Sequence, residues 1–516
     1  MSKCQTYAST RSSDNSFLGF EDAVLKGLAS DGGLFLPREI PSVSSDDIES
    51  WADLSFNEVA FKVLSLYISR DEIPEDDLKK LIEKSFSTFR SKDVTPLETL
   101  NSDKNLHVLE LFHGPTYAFK DVALQFVGNL FEYFLVRKNQ GKADDDPSRA
   151  KVTVVGATSG DTGSAAIYGL RNKKDVSVFI LYPTGRVSPI QEQQMTTVLD
   201  KNVHTISVKG TFDDCQDLVK QIFGDNQFNS KYSVGTVNSI NWSRILVQMS
   251  YYFYAYFQLR KKTGSKSPKV KFVVPTGNFG DILAGFYAHR MGLPVDSLVI
   301  ATNANDILYR FFQNGSYSKA ASDSQDPVVH ATLSPAMDIL VSSNFERFLW
   351  IAARDTVASS DGEAGKLVGE WMNELKTKGS FKVPAPVYEL AQKEFTSERT
   401  SDEQTIDTIN HVYTTIAPKY ILDPHSAVAV SSALRLQEKE KGDTQFVALS
   451  TAHPAKFSDA VDSALRGQEG YSFEDDVLPQ EFKDMIKKET KKLFADRPDI
   501  EVIKSIVVEE LEKEKN

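Results

Sequence analysis

Three stretches of this chain combine residue types that do chemistry. Residues 113–121 read His-Gly-Pro-Thr-Tyr-Ala-Phe-Lys-Asp and put Lys120 where a Gly-Pro turn enters a helix. The helix macrodipole disfavours an ammonium at that end, whereas a neutral or covalently occupied amine escapes the penalty, so Lys120 is a candidate carbonyl-binding amine. Residues 277–281, Gly-Asn-Phe-Gly-Asp, are a short loop feeding a helix. Glycine lets backbone N–H groups approach an anion and the helix end adds partial positive charge, so a phosphate cradle is the natural use. The loop lacks the Gly-Lys-Ser/Thr ending of a nucleotide loop and the spacing of a dinucleotide fingerprint. In residues 156–163, Thr158, Ser159, Asp161 and Thr162 surround three glycines. That set suits a carboxylate or phosphate held by hydroxyls and backbone N–H groups.

The elements that must position these loops alternate. Apolar strand-like runs at 106–112, 152–155, 176–181, 203–208, 272–274, 298–302 and 446–450 are separated by helical patterns, the signature of parallel sheets flanked by helices. In such sheets, loops beyond the carboxyl ends of the strands carry the ligands, and both glycine loops follow strands. Ala123, Val127, Leu130 and Phe134 recur at helical spacing behind Lys120. Thr211 with Asp214 forms a capping box, and Cys215 joins Leu218, Val219 and Ile222 on the apolar stripe that follows. Polar breaks at 138–149, 261–269 and 321–327 read as exposed loops. We expect a mainly helical N-terminal domain (1–95), a first α/β lobe (96–265) with Lys120 and the hydroxyl loop, a second α/β lobe (266–470) with the glycine loop, and a charged, solvated helical tail (471–516).

Composition narrows the function. The 516 residues are 41% hydrophobic and 25% charged, and 59 Lys plus Arg against 71 Asp plus Glu give a net charge of −12. This argues against nucleic acid or an anionic membrane as partner. Cys4 and Cys215 are the two cysteines, so neither a disulfide framework nor a metal cluster is expected. No apolar signal core opens the chain and no run reaches membrane-spanning length, which places the protein in the cytoplasm as the simplest expectation. A lysine that takes an aldehyde, together with a separate phosphate anchor, describes pyridoxal phosphate.

These motifs, with 27–37, 238–244, 333–347, 423–427 and 449–457, resemble the threonine synthases, of the tryptophan-synthase-β-like (fold type II) pyridoxal-phosphate enzymes, in the fungal and bacterial class. The resemblance covers nearly the whole chain. It implies two three-layer α/β lobes, Lys120 as the Schiff-base lysine, and Gly277, Asn278, Phe279, Gly280 and Asp281 around the cofactor phosphate. It implies that Thr451 hydrogen-bonds the pyridine nitrogen and that Ser159, Gly160, Asp161 and Thr162 grip the amino-acid end of the substrate. Many relatives have Asn where this chain has Asp161, and an ionised Asp cannot donate to the cofactor's ring oxygen. The implied reaction converts O-phospho-L-homoserine and water to L-threonine and phosphate. It needs a second phosphate site, for which Ser239, Asn241 and Arg244 are the candidates. His113, Tyr117 and His453 lie close enough in sequence to assist proton transfer or to make structural hydrogen bonds. A serine or threonine dehydratase of the same cofactor class, and a non-catalytic relative, are the alternatives. Monomer and dimer both stay open.

Overall fold

The strand-loop-helix alternation resolves into a six-stranded and a five-stranded sheet, each confined to one of two compact units, beside two short two-stranded pairs. The computed structural model describes residues 5–14, 16–101, 105–320, 327–440 and 442–515. Cys4 and residues 321–326 of the third polar break lie outside them. The larger unit comprises Met1–Lys79, Ser91–His113 and Ser239–Val477, and the smaller comprises Lys80–Arg90, Gly114–Asn238 and Leu478–Asn516.

In the larger unit six strands run in the order Phe395–Arg399, Ser297–Thr302, Val270–Pro275, Gln445–Ser450, Leu106–Glu110, Leu97–Asn101. Every neighbouring pair is parallel except the last. Most of these strands are buried along nearly their whole length, as a sheet covered by helices on both faces requires. In the smaller unit the order is Leu493–Ala495, Val203–Val208, Val176–Pro183, Val152–Ala157, Val234–Gly235, all parallel.

The expected lobe boundaries differ from these units. The strand pair at 97–110 was expected in the first lobe, yet Leu106–Glu110 pairs with Gln445–Ser450, some 340 residues on in sequence. The helix Trp242–Thr263 likewise belongs to the larger unit. Apolar patterning reveals that a segment is a strand but not which distant strand it pairs with, and here the pairing overrides chain order. Most of the 1–95 region falls in the larger unit. Its helices Phe20–Lys26, Ser45–Trp51 and Phe56–Leu64 fall within the larger unit, and Tyr7–Ser9 pairs antiparallel with Phe35–Pro37. The tail is exposed along its charged runs, as expected, but its apolar residues are packed. Leu493–Ala495 extends the five-stranded sheet, and the helix Ile500–Lys515 buries Ile503 and Val507 against Cys215, Leu218 and Ile222. Ile503, Val507 and Leu511 recur every fourth residue, a stripe hidden in the sequence by the surrounding Lys and Glu. Among the described residues no helix is long and apolar enough to cross a membrane.

Candidate active site

Lys120 opens the helix Lys120–Lys138, and the turn before it is held from several sides. Tyr117 adopts a left-handed φ of 60°. The Asp121 carboxylate accepts from both the backbone N–H and the hydroxyl of Thr116, each at 2.7 Å. Arg90 stacks 3.8 Å over the Tyr117 ring and donates to the Gly114 carbonyl and to Glu481, while the Tyr117 hydroxyl donates to Glu481 at 3.2 Å. Tyr117 is thereby a structural partner of Arg90 and Glu481.

The Lys120 amine is buried and lies 3.8 Å from the Asp161 carboxylate. Asp161 opens its own helix, Asp161–Leu170. The separation between the two groups follows from how the helices cross. A Cβ at Gly128 would lie 2.7 Å from the backbone carbonyl carbon of Gly169, and one at Gly169 would lie 2.8 Å from that of Leu124. The backbones touch where each helix has a glycine, so no other residue fits. The second Asp161 oxygen accepts from Gln191 Nε2 at 2.9 Å. Gly160 turns with φ +142°, where a side chain would run into Gln191. The Thr158 hydroxyl accepts from the N–H groups of Gly160 and Gly163, at 2.9 and 2.8 Å, and so shapes the loop. Ser159 is exposed and Thr162 half-buried. Within the smaller unit the fold thus unites Lys120 with the hydroxyl loop, and Asp161 acts as counter-charge to the amine instead of as a donor.

In the larger unit the strand Val270–Pro275 ends in the glycine loop, and the helix Gly280–Met291 starts after Phe279 in the left-handed region, φ 63°. A left-handed aromatic residue is rare and is kept only where its surroundings over-determine it. Here the Phe279 ring is locked between Phe345 and Phe395, at centroid distances of 5.1 and 5.4 Å. The strained turn points the first N–H groups of the helix away from any intrahelical acceptor. A Cβ at Gly277 would press on the Met337 backbone at 3.1 Å, and one at Gly280 on Asn344 and Ile245 at 3.3 Å. The Asp281 carboxylate accepts from the Tyr251 and Tyr252 hydroxyls, and burial pushes its pKa up to about 6. What it offers a phosphate is therefore its backbone N–H, since its carboxylate would repel one.

The segment 239–244 lies against this loop. Asn344 Nδ2 donates to the carbonyls of both Asn278, at 3.0 Å, and Ser239, at 3.1 Å. Arg347 donates to the Ile240 carbonyl, to Asn344, and to the Phe35 carbonyl at 2.8 Å. Arg244, in the first turn of Trp242–Thr263, is 3% exposed, and burial lowers its pKa to about 10. Asn241 is bonded within the chain. Its amide caps that helix through Ser243 and donates to the Val24 carbonyl at 2.9 Å, so it braces the segment. Trp242 beside it packs against Tyr7, Tyr67 and Tyr287. The N-terminal region thus buttresses the Arg244 turn.

Thr451 directly follows the strand Gln445–Ser450 and is 6% exposed. Sequence reasoning gave no role to Asp423, His425 and Ser426, which organise this end of the sheet. His425 lies between the Asp423 carboxylate, 2.7 Å from Nδ1, and the Ala336 N–H, which donates to Nε2 at 3.1 Å. Ser426 bonds both Asp423 and the Ser450 hydroxyl. Since Met337 abuts Gly277, this relay reaches the glycine loop. The readable signal was Asp-Pro-His-Ser, an N-cap with Pro at N1. His113 hydrogen-bonds Glu110, which also accepts from Tyr420, and His453 caps a short 3-10 turn.

A buried amine beside a carboxylate and a strained, glycine-lined phosphate loop define a pyridoxal-phosphate enzyme, and the family models agree. The one described as "Pyridoxal-phosphate dependent enzyme" matches residues 90–452. "Threonine synthase N terminus" matches 6–86, and "Threonine synthase, C-terminal" matches 426–507. Threonine synthase of Saccharomyces cerevisiae is 59% identical over 518 residues, covering 99% of both chains. The crystal structure of threonine synthase from yeast superposes with a TM-score of 0.94 at 58% identity, covering 99% of each chain. That of the pyridoxal-phosphate-bound threonine synthase from Brucella melitensis gives 0.86 at 40% identity, covering 98% of this chain and 99% of the other. The chain belongs to the threonine synthase family of pyridoxal-phosphate-dependent enzymes. Its residues fit that cofactor: the glycine loop leads into the N-terminus of the helix Gly280–Met291, whose first N–H groups suit a phosphate, and Lys120 offers a buried amine.

Proposed function

We propose that this protein converts O-phospho-L-homoserine and water to L-threonine and phosphate, as a carbon-oxygen lyase acting on a phosphate ester in the cytoplasm. Lys120 would carry the cofactor aldehyde. The N–H groups of Gly280 and Asp281, with the loop from Gly277 through Asn278 and Phe279, would hold the cofactor phosphate, and the Thr451 hydroxyl would meet the pyridine nitrogen. When bound, the cofactor supplies an electron sink for charge that develops at the substrate α- and β-carbons.

The remaining work falls to the chain. The Lys120 amine takes the α-proton, takes a β-proton as phosphate leaves the γ-carbon, delivers a proton to the γ-carbon to make the methyl group, and returns a proton to the α-carbon after water adds at the β-carbon. Asp161, 3.8 Å away, stabilises the amine whenever it carries the extra proton. Backbone N–H groups and hydroxyls of Ser159, Gly160 and Thr162 orient the substrate carboxylate. Arg244, with Ser239, binds the substrate phosphate. Arg244 is the observation that carries the choice of substrate: it lies in the first turn of Trp242–Thr263, in the segment that Asn344 ties to the glycine loop, and a guanidinium there can bind a phosphate bidentately. A dehydratase has no such group to bind.

The test is turnover by the purified protein. Phosphohomoserine should yield phosphate and threonine in equal amounts, while serine and threonine are deaminated at most slowly. Lys120→Ala should lose essentially all turnover, and borohydride should no longer fix cofactor to the 113–121 peptide. Rapid deamination without phosphate release would overturn the reading.

A further inference from the structure

In the larger unit, residues 342–347 take hold of four carbonyls in two separate loops. The Ser342 hydroxyl donates to the Gly277 carbonyl at 2.6 Å. The next carbonyl, that of Asn278, accepts from the Asn344 N–H at 3.1 Å and from its Nδ2 at 3.0 Å. The same Nδ2 donates to the Ser239 carbonyl at 3.1 Å, and Arg347 donates to the carbonyl after it, that of Ile240. Arg347 also donates to Asn344 Oδ1, which fixes the amide nitrogen on the side of the two carbonyls. Ser342, Asn344 and Arg347 are buried, so bulk water does not compete for these bonds. Gly280 makes room for the amide, since a Cβ there would lie 3.3 Å from Nδ2.

A trans peptide unit is planar, so its C=O and N–H point to opposite sides. Drawing the Gly277 and Asn278 carbonyls toward 342–344 therefore turns the N–H groups of Asn278 and Phe279 the other way. Drawing the Ser239 and Ile240 carbonyls toward 344–347 does the same for the N–H groups of Ile240 and Asn241. Among the described residues none of these four N–H groups donates to a backbone acceptor. Successive N–H groups turned to one side are the means by which a backbone binds an anion. We infer that Asn344 is a positioning residue shared by two phosphate sites, its one carboxamide orienting the donors of the glycine loop and those of 239–241. This rests on the reading that the glycine loop takes the cofactor phosphate and the Arg244 segment the substrate phosphate. Ser342 serves the glycine loop alone, and Asn344 serves both.

Two constants test this, each measured on wild type, Asn344→Ala and Ser342→Ala. Neither variant adds a charge that would repel an anion by itself. The first is the dissociation constant of pyridoxal phosphate, from holoenzyme dialysed against falling cofactor concentrations and read by the absorbance of the lysine imine. The second is the inhibition constant of inorganic phosphate against turnover of O-phospho-L-homoserine. Asn344→Ala should raise both constants about five- to tenfold. Ser342→Ala, which deletes one oxygen atom, should raise the cofactor constant by a similar factor and leave the phosphate constant within about twofold of wild type. A merely structural role would lower the melting temperature without producing this split. The inference falls if Asn344→Ala leaves either constant unchanged while phosphate still competes in the wild type. It falls too if Ser342→Ala moves both constants alike or neither, a result that stands even where Asn344→Ala does not fold. Should phosphate fail to compete in the wild type, the assignment of the substrate phosphate to the Arg244 segment fails first and the inference with it.

Discussion

Gly128→Ala tests whether the crossing of two helices sets the catalytic geometry. The new methyl carbon would sit 2.7 Å from the Gly169 carbonyl carbon. Carbon atoms are at ease at about 3.5–4.0 Å and the Gly169 carbonyl oxygen lies nearer still, so the helices must separate by more than about 1 Å. Neither neighbour can yield, since the obstruction is backbone. Lys120 lies two turns before Gly128 on one helix and Asp161 two turns before Gly169 on the other, so the shift is transmitted to the pair now 3.8 Å apart. Overpacking of this kind costs about 1–3 kcal/mol, partly offset by up to ~1 kcal/mol from alanine's better helix propensity. A displacement of about 1 Å at reacting groups costs on the order of a hundredfold in rate. The assay pairs thermal unfolding with steady-state phosphate release, and Gly224→Ala is the control because nothing lies within 4 Å of its added Cβ. Gly128→Ala should melt lower and turn over far more slowly, and Gly224→Ala should be neutral or slightly stabilised. Were Gly128→Ala to keep wild-type melting and turnover, the argument that this contact positions Lys120 would be refuted.

Two further outcomes follow from the larger unit. Arg244→Gln removes a charge-assisted phosphate contact of about 1.5–3 kcal/mol, so kcat/KM for the phosphorylated substrate should fall roughly 10- to 150-fold, and inorganic phosphate should lose its power to compete; unchanged kinetics would place the substrate phosphate elsewhere. Asp281 carries the pH dependence. Burial raises its carboxyl from 3.8 to about 6, so the folded state holds a proton that the unfolded chain releases between those values. The stability this contributes, roughly 3 kcal/mol, is complete below about pH 3.8 and lost as pH rises through 6. Melting temperature should therefore decline from pH 5 to 8 in the wild type and decline less in Asp281→Asn; equal slopes would show that this carboxyl is not the group responsible.

The local chemistry was legible because it resides in short continuous stretches. A lysine at a turn-to-helix junction, a glycine pair before a helix and a cluster of hydroxyls around three glycines each announce a turn or a helix start, a backbone conformation that neighbouring residues dictate. The strand-helix alternation was readable for the same reason, and so was the core role of Cys215, set by its place on an apolar stripe. Asn241 and Asp281 stand at helix starts, but what their side chains bond comes from Val24, Tyr251 and Tyr252, which no local pattern names.

What only the tertiary structure decided is which distant segments meet. That 106–110 pairs with 445–450, that Asp161 faces Lys120 across a glycine-glycine contact, that Asn344 and Arg347 tie the glycine loop to the Arg244 turn, and that the charged tail completes a sheet are all consequences of long-range packing. Patterning along a chain encodes each segment's preferred conformation and its buried face. The choice of partner is a property of all segments packed at once, and no single stretch carries it.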